Sequence, residues 1–273
     1  MRSDQVIGVL GCGWLGLPLA QMLVSEGYVV KGSTTNEKKL EELEGKGVVP
    51  FLVRCDPDVQ GRNTADFFCA DVLVLTLPFK RSFNDPSQYQ KQIDSVIAWV
   101  MKAGRIKFVI FTSSTSVYPS HMEDAREDAV FLPDSPRAKV LWQIEQDLLN
   151  HPGFASTIVR LAGLFGPDRE IGQFLAQKKD LQNPNHPVNL IHQDDASRVL
   201  FSVIECNICG EIINACGDEH PTRKELYTKA ALVKGLPPPE FSDVNEGKGK
   251  IVNNAKLKRL LPGWSFSRRL LDA

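Results

Sequence analysis

The sequence predicts an α/β fold, a doubly wound parallel sheet with a small C-terminal lobe. Three observations predict it. Short apolar runs alternate with helical periodicity through Leu161, the pattern of βαβ units. A glycine-rich turn joins the first apolar run to the first helical stretch. After Gly166 the pattern loosens and prolines interrupt the chain. At 273 residues there is room for one large domain or a main domain with a smaller one.

Val6–Leu10 is a short apolar run suited to a strand buried on both faces. Residues 14–26 read as a helix closed by Gly27. A second strand is expected at 28–31, a charged helix at 37–44 and a third strand at 48–54. "DVLVLTL" at 71–77 is the fourth strand, stopped by Pro78. Residues 87–101 place Ile93, Val96, Ile97 and Val100 on one helical face, before Gly104. The fifth strand follows at 108–111. A helix over 137–150 carries Val140, Leu141, Ile144 and Leu148 on its apolar face, and a sixth strand follows at 157–161. Pro184, Pro187 and "LPPPE" at 236–240 break the remainder, while Ile212–Ala215 is expected to return to the main sheet. The domains are therefore set at 1–166 and 167–273, with 191–216 returning to the sheet.

Charged residues make up 24% of the chain, net charge is −1 and no long single-sign run occurs. That argues against nucleic acid or an anionic membrane as the main partner. No stretch is long and apolar enough to span a bilayer. Met1-Arg2 ahead of "VIGVLGCGWLGLPLA" has features of a signal peptide, but the glycine spacing accounts better for the same residues. The six cysteines are scattered, so free thiols in a reducing cytoplasm are expected. Cys206 and Cys209 form a CxxC, with Cys216 and His220 downstream. Zinc would need four ligands on one point. A helix end and a strand carrying small buried thiols is the favoured reading.

"GCGWLG" sets Gly11, Gly13 and Gly16 between a strand and a helix, around Trp14 and Leu15. The first glycine permits a tight turn, the second lets backbone approach a pyrophosphate, and the third allows close helix–strand packing. The helix N-terminus faces the negative charge. This is a dinucleotide-binding signature in its confirming context. Leu77 and Pro78, closing the fourth strand, are taken as part of the same site. NAD readers carry an acid at the end of the second strand. Here "KGSTTNEKK" has none at Ser33 or Thr34 and offers Lys38 or Lys39, so NADP is expected over NAD. A solvated helix face explains the lysines equally.

"FVIFTSSTSVYP" (108–119), "IVRLAGLFGP" (158–167), "NLIHQDDASRVL" (189–200) and "GEIINACGDEHPTRKEL" (210–226) together resemble the extended short-chain dehydrogenase/reductase superfamily, in its NAD-dependent epimerase/dehydratase group. The resemblance implies a Rossmann domain with NAD(P) and a small lobe that grips the substrate, often a nucleotide sugar. It puts Ser114 on the family's catalytic serine, four residues before Tyr118. It puts Asp56 on an acid that contacts adenine, and 161–163, beginning at Leu161, on a loop near the nicotinamide. Asp194 and Asp195 fall on helix-capping acids and His192 on a packed histidine.

Two departures stand out. The chain has GxGxxG where extended members have GxxGxxG; "GWLGLPLA" and "LTLPF" are similar to the hydroxyacid dehydrogenase group. And "SPRAKVLWQIE" puts Arg137 on the family's tyrosine and Leu141 on its lysine; the frame that keeps Lys139 puts Ser135 on the tyrosine. Arginine cannot serve as a base, its pKa exceeding about 12, and Leu141 supplies no charge. This places the chain with the atypical members. Tyr118, Lys139 if buried, or water are the candidate proton sources, and Arg137 a candidate binder of a substrate carboxylate or phosphate. The expected function is an NAD(P)-dependent oxidoreductase or epimerase-like enzyme acting on a nucleotide sugar or small carbonyl, as monomer or homodimer. A non-catalytic dinucleotide sensor or scaffold is the alternative. A hydroxyacid or imine reductase is a second, with "TSSTSVY", "IHQDDA" and the short C-terminal part against it.

Overall fold

The computed structural model describes residues 5–80, 83, 85–268 and 270. Met1 and Arg2, part of the signal-peptide reading, lie outside them. Ten strands and nine α-helices follow in order among the described residues. They are β1 (Val6–Leu10), α1 (Gly16–Ser25), β2 (Val29–Thr34), α2 (Leu40–Glu44), β3 (Val49–Cys55), β4 (Val59–Gly61), α3 (Thr64–Phe68), β5 (Val72–Leu75), α4 (Ser87–Ala103) and β6 (Phe108–Ser114). Then come α5 (Pro136–Leu149), β7 (Ala155–Leu161), β8 (Gly163–Phe165), α6 (Ile171–Phe174), β9 (Leu190–His192), α7 (Gln193–Glu205), β10 (Ile212–Ala215), α8 (Arg223–Val233) and α9 (Ala255–Leu260).

Eight strands form one sheet in the order β10-β7-β6-β5-β1-β2-β3-β4, and β8 pairs with β9 in a second. The pairs β1–β2, β1–β5, β2–β3 and β5–β6 are parallel. Strand order reverses at β1, as the doubly wound expectation requires. Ile7 faces Val30 and Val72 in register, and Val72–Leu75 are buried throughout. Such strands carry the continuous apolar runs read from the sequence.

β8, α6, β9, α8 and α9 were not read from the sequence, and before Leu161 two short elements escaped it. β4 is a three-residue antiparallel edge strand, and α3 has five residues, too few to show a period. The predicted helix at 37–44 is a 3₁₀ turn (Glu37–Lys39) leading into α2.

The chain divides into two compact units that interleave along the sequence. The first comprises 1–113, 135–159 and 197–212; the second comprises 114–134, 160–196 and 213–273. The sequence set 1–166 as one domain, whereas 114–134 and 160–166 group here with the second unit. Within the first unit α4 buries Tyr89, Ile93, Val96 and Val100. Within the second, Phe165, Ile171, Val188, Leu190, Leu226 and Ala230 form a separate core.

Candidate functional site

The glycine loop sits at the C-terminal end of β1, in the first unit. Gly11 has φ +108°, a conformation that side chains resist. Its N–H donates to Ser33 Oγ at 2.8 Å, and its carbonyl accepts from Thr76 Oγ1 at 2.8 Å. Cys12 N–H donates to the Ser33 carbonyl at 2.7 Å. Burial pushes the Cys12 thiol up to about 12, so it is an inert packing group. A Cβ on Gly16 would overlap the Gly11 carbonyl oxygen, whereas one on Gly13 would meet nothing within 4 Å. Gly16 is therefore required by packing, and Gly13 leaves exposed backbone with open space above it.

The first turn of α1 carries no acid and no side-chain cap. Leu17 N–H donates to the Gly13 carbonyl at 3.1 Å and Pro18 has no N–H, so the anion would be met by the positive dipole end and by the loop backbone ahead of the helix. The residues present thus fit a pyrophosphate. Leu15 is buried, and Trp14 half-buried beside it.

Ser33 is buried, and its Oγ accepts from the Gly11 N–H of the loop. Thr34 Oγ1 accepts from Asn36 N–H at 3.1 Å. Lys38 is exposed on the 3₁₀ turn. Arg54, on β3, was missed by the sequence reading; its guanidinium donates to the Thr35 carbonyl at 3.3 Å. Asp56 is exposed directly after β3. Leu77, half-buried, accepts the Tyr89 hydroxyl at its carbonyl at 2.8 Å, and Pro78 is exposed.

Arg137 stands in the first turn of α5. Its guanidinium lies 3.7 Å from the Phe79 ring centroid and donates to the carbonyls of Phe79 (2.8 Å) and Lys80 (3.0 Å). It braces the segment after β5 through these internal contacts. Leu141 is buried and Lys139 is exposed. Glu145, fully buried on α5, accepts the Ser113 hydroxyl.

In the second unit Ser114 closes β6 half-buried, and its Oγ accepts from Ser116 N–H at 3.1 Å. A 3₁₀ turn over Thr115–Val117 follows. Tyr118 is 1% exposed. Its hydroxyl accepts from Arg160 Nη1 at 2.7 Å and donates to Asn214 Oδ1 at 2.9 Å. Burial raises its pKa, with Arg160 opposing. A phenol so committed is poorly suited to exchange a proton, and the packing role is the one observed. Leu161 is buried at the end of β7. Asp194 and Asp195 lie in the first turn of α7, with Asp195 accepting from Ser267 N–H at 3.0 Å. His192 packs edge-on to Phe165 at 5.1 Å.

No protein-family model matches the chain. Protein YeeZ of Escherichia coli K12 is 35% identical over 254 residues, covering 92% of each chain. The chain belongs to the YeeZ family. Its fold is that of the extended short-chain dehydrogenase/reductases, as the motifs implied. UDP-glucuronic acid 4-epimerase from Bacillus cereus, solved in complex with NAD, superposes with a TM-score of 0.78 at 19% identity over 98% of this chain and 95% of its own. A short-chain dehydrogenase/reductase superfamily protein from Agrobacterium tumefaciens with bound NAD gives 0.72 at 16% identity, over 98% and 95%.

In this YeeZ family member Cys206 and Cys209 are exposed and Cys216 is buried, so the expectation of buried thiols holds only for the last. Among the described residues no group of three or more His, Cys, Asp or Glu could hold a metal ion. No described helix is long and apolar enough to cross a membrane.

Proposed function

We propose that this chain binds a nicotinamide dinucleotide at the glycine loop and uses it for oxidoreduction or epimerisation of a small carbonyl or nucleotide sugar. The observation that carries the reading is the open face of Gly13, at the N-terminus of a helix without a side-chain cap. Backbone N–H groups there would hold the pyrophosphate. When bound, the nicotinamide supplies hydride exchange. The chain's part is to orient a substrate oxygen through the Ser114 hydroxyl and to manage a proton without the Tyr-Lys pair.

NADP is the proposed form. No acid stands at the end of β2, and two cations, Lys38 and Arg54, stand near that end. A 2′-phosphate suits them better than a bare diol. Titrating NADPH and NADH by calorimetry tests this; equal or tighter NADH binding contradicts it. Lys38→Ala with Arg54→Ala should weaken NADPH alone.

A second reading has its own support. Arg137 and Tyr118 are both committed to internal contacts, which fits a dinucleotide-binding sensor without turnover. Nicotinamide absorbance followed across a panel of sugar nucleotides and small carbonyls separates the two. Binding with no turnover on any of them favours the sensor. Turnover that survives Ser114→Ala unchanged removes Ser114 from the site.

A further inference from the structure

The C-terminal segment reaches the turn that follows Ser114. Lys250 belongs, like Ser114, to the second unit. Its Nζ donates to the Thr115 carbonyl at 2.8 Å and to the Tyr118 carbonyl at 2.9 Å, the two ends of the turn that follows Ser114. Its own backbone is fixed from two sides. Asn189 Nδ2 donates to the Lys250 carbonyl at 2.7 Å, and Asn189 Oδ1 accepts from Val252 N–H at 2.8 Å. Ala125 N–H donates to the Ile251 carbonyl at 2.8 Å, and Asn253 N–H to the Ala125 carbonyl at 3.0 Å. The side chain thus projects from a laced segment and cannot follow the turn if the turn moves.

The groups facing Nζ are those two carbonyls, the Tyr118 ring at 6.0 Å and the Asp134 carboxylate. Burial lowers the Lys250 pKa and Asp134 opposes. An ammonium met mainly by neutral carbonyls stabilises the fold poorly, since its desolvation works against it. A methionine would fill similar volume without that cost. What the lysine adds is a fixed geometry for the turn that carries Ser114.

We propose that Lys250 is a positioning residue: it ties both ends of the 115–118 turn and so sets the direction of the Ser114 hydroxyl. The inference rests on the reading of Ser114 as the residue that meets the substrate oxygen. It gives the C-terminal segment a part in the site.

The test compares wild type with Lys250→Met and Lys250→Arg by hydrogen exchange, thermal unfolding and dinucleotide calorimetry. In Lys250→Met the Ser116 and Tyr118 amides should exchange about tenfold faster. Tm should stay within about 4 °C and dinucleotide affinity should not change. Lys250→Arg, which keeps two donors, should retain the protection. With any substrate that turns over, Lys250→Met should lower kcat and spare KM. Unchanged exchange at 114–118 in Lys250→Met overturns the proposal, and so does faster exchange spread over the whole chain. Should Lys250→Met not fold, Lys250→Gln decides: a loss of protection confined to the turn supports the proposal, and none overturns it. If the wild type binds neither NADH nor NADPH, the cofactor reading fails by itself while the exchange result still decides the role of Lys250.

Discussion

Arg137 sits over Phe79, its guanidinium carbon 3.7 Å from the ring centroid, and two of its N–H groups reach the carbonyls of Phe79 and Lys80. The position that the family resemblance gives to a tyrosine is here a brace on the segment after β5. Phe79 in turn stacks on Tyr89 at 4.4 Å, so the brace connects α5 to α4.

Arg137→Ala should therefore cost stability, by about 1–3 kcal/mol from the lost stacking and the two unpaired carbonyls. Arg137→Lys should not restore it, because a lysine cannot lie flat or fork. Urea unfolding at neutral pH measures both. Unchanged stability together with a raised substrate KM would return Arg137 to the substrate.

Tyr118→Phe removes the acceptor that Arg160 uses and the donor that Asn214 uses, both inside the fold. A loss of about 1–3 kcal/mol is expected, read by denaturant titration. The pH profile of any turnover should keep its shape, since the phenol titrates above its ordinary range. A profile that flattens in the variant would make Tyr118 the proton donor after all.

Acid sensitivity should show at Asp71. Arg105 binds its carboxylate through Nε at 3.0 Å and Nη2 at 3.2 Å, and Val6 N–H adds 2.8 Å. Arg105 first, then Val6, hold the Asp71 pKa below the usual carboxylate range, against burial. The unfolded chain thus takes up the proton at a higher pH than the folded one. The stabilisation is complete above the ordinary carboxylate value and is lost as pH falls toward the folded value. Tm measured from about pH 7 to about pH 3 should fall less steeply for Asp71→Asn than for wild type. Because the pair is partly exposed, the difference should shrink in high salt. Parallel curves would contradict the assignment.

How far the sequence could be read follows from range. β1, the glycine loop and α1 are contiguous, and their spacing alone carries the turn, the close packing and the helix start. Leu141 was legible as unable to act, because no lysine or tyrosine stands on that face. Nothing local shows that the Ser33 hydroxyl takes the Gly11 N–H, a contact across 22 positions. Thr76, which holds the Gly11 carbonyl, was missed for the same reason at 65 positions. Lys250 reaches Thr115 across 135 positions, and no motif marks it. Nothing in the composition changes after β6, so the sequence carries no mark for the grouping of 114–134 with the second unit.

Gly16→Ala should destabilise the first unit, by about 1–3 kcal/mol, because the new methyl overlaps backbone that cannot move aside cheaply. Circular dichroism through a thermal ramp measures it. Stability equal to wild type would mean that the loop is looser than its contacts imply.

Gly13 offers the converse, since a side chain there meets nothing within 4 Å and φ is not in the left-handed region. Gly13→Val should fold with wild-type Tm yet stand where the pyrophosphate must come. Calorimetric titration of NADPH and NADH into wild type and Gly13→Val is the most direct measurement. The account predicts binding to the wild type and a loss of at least about 100-fold, roughly 2.7 kcal/mol, in the variant. Equal affinity in the two proteins, or no binding to the wild type, would contradict it.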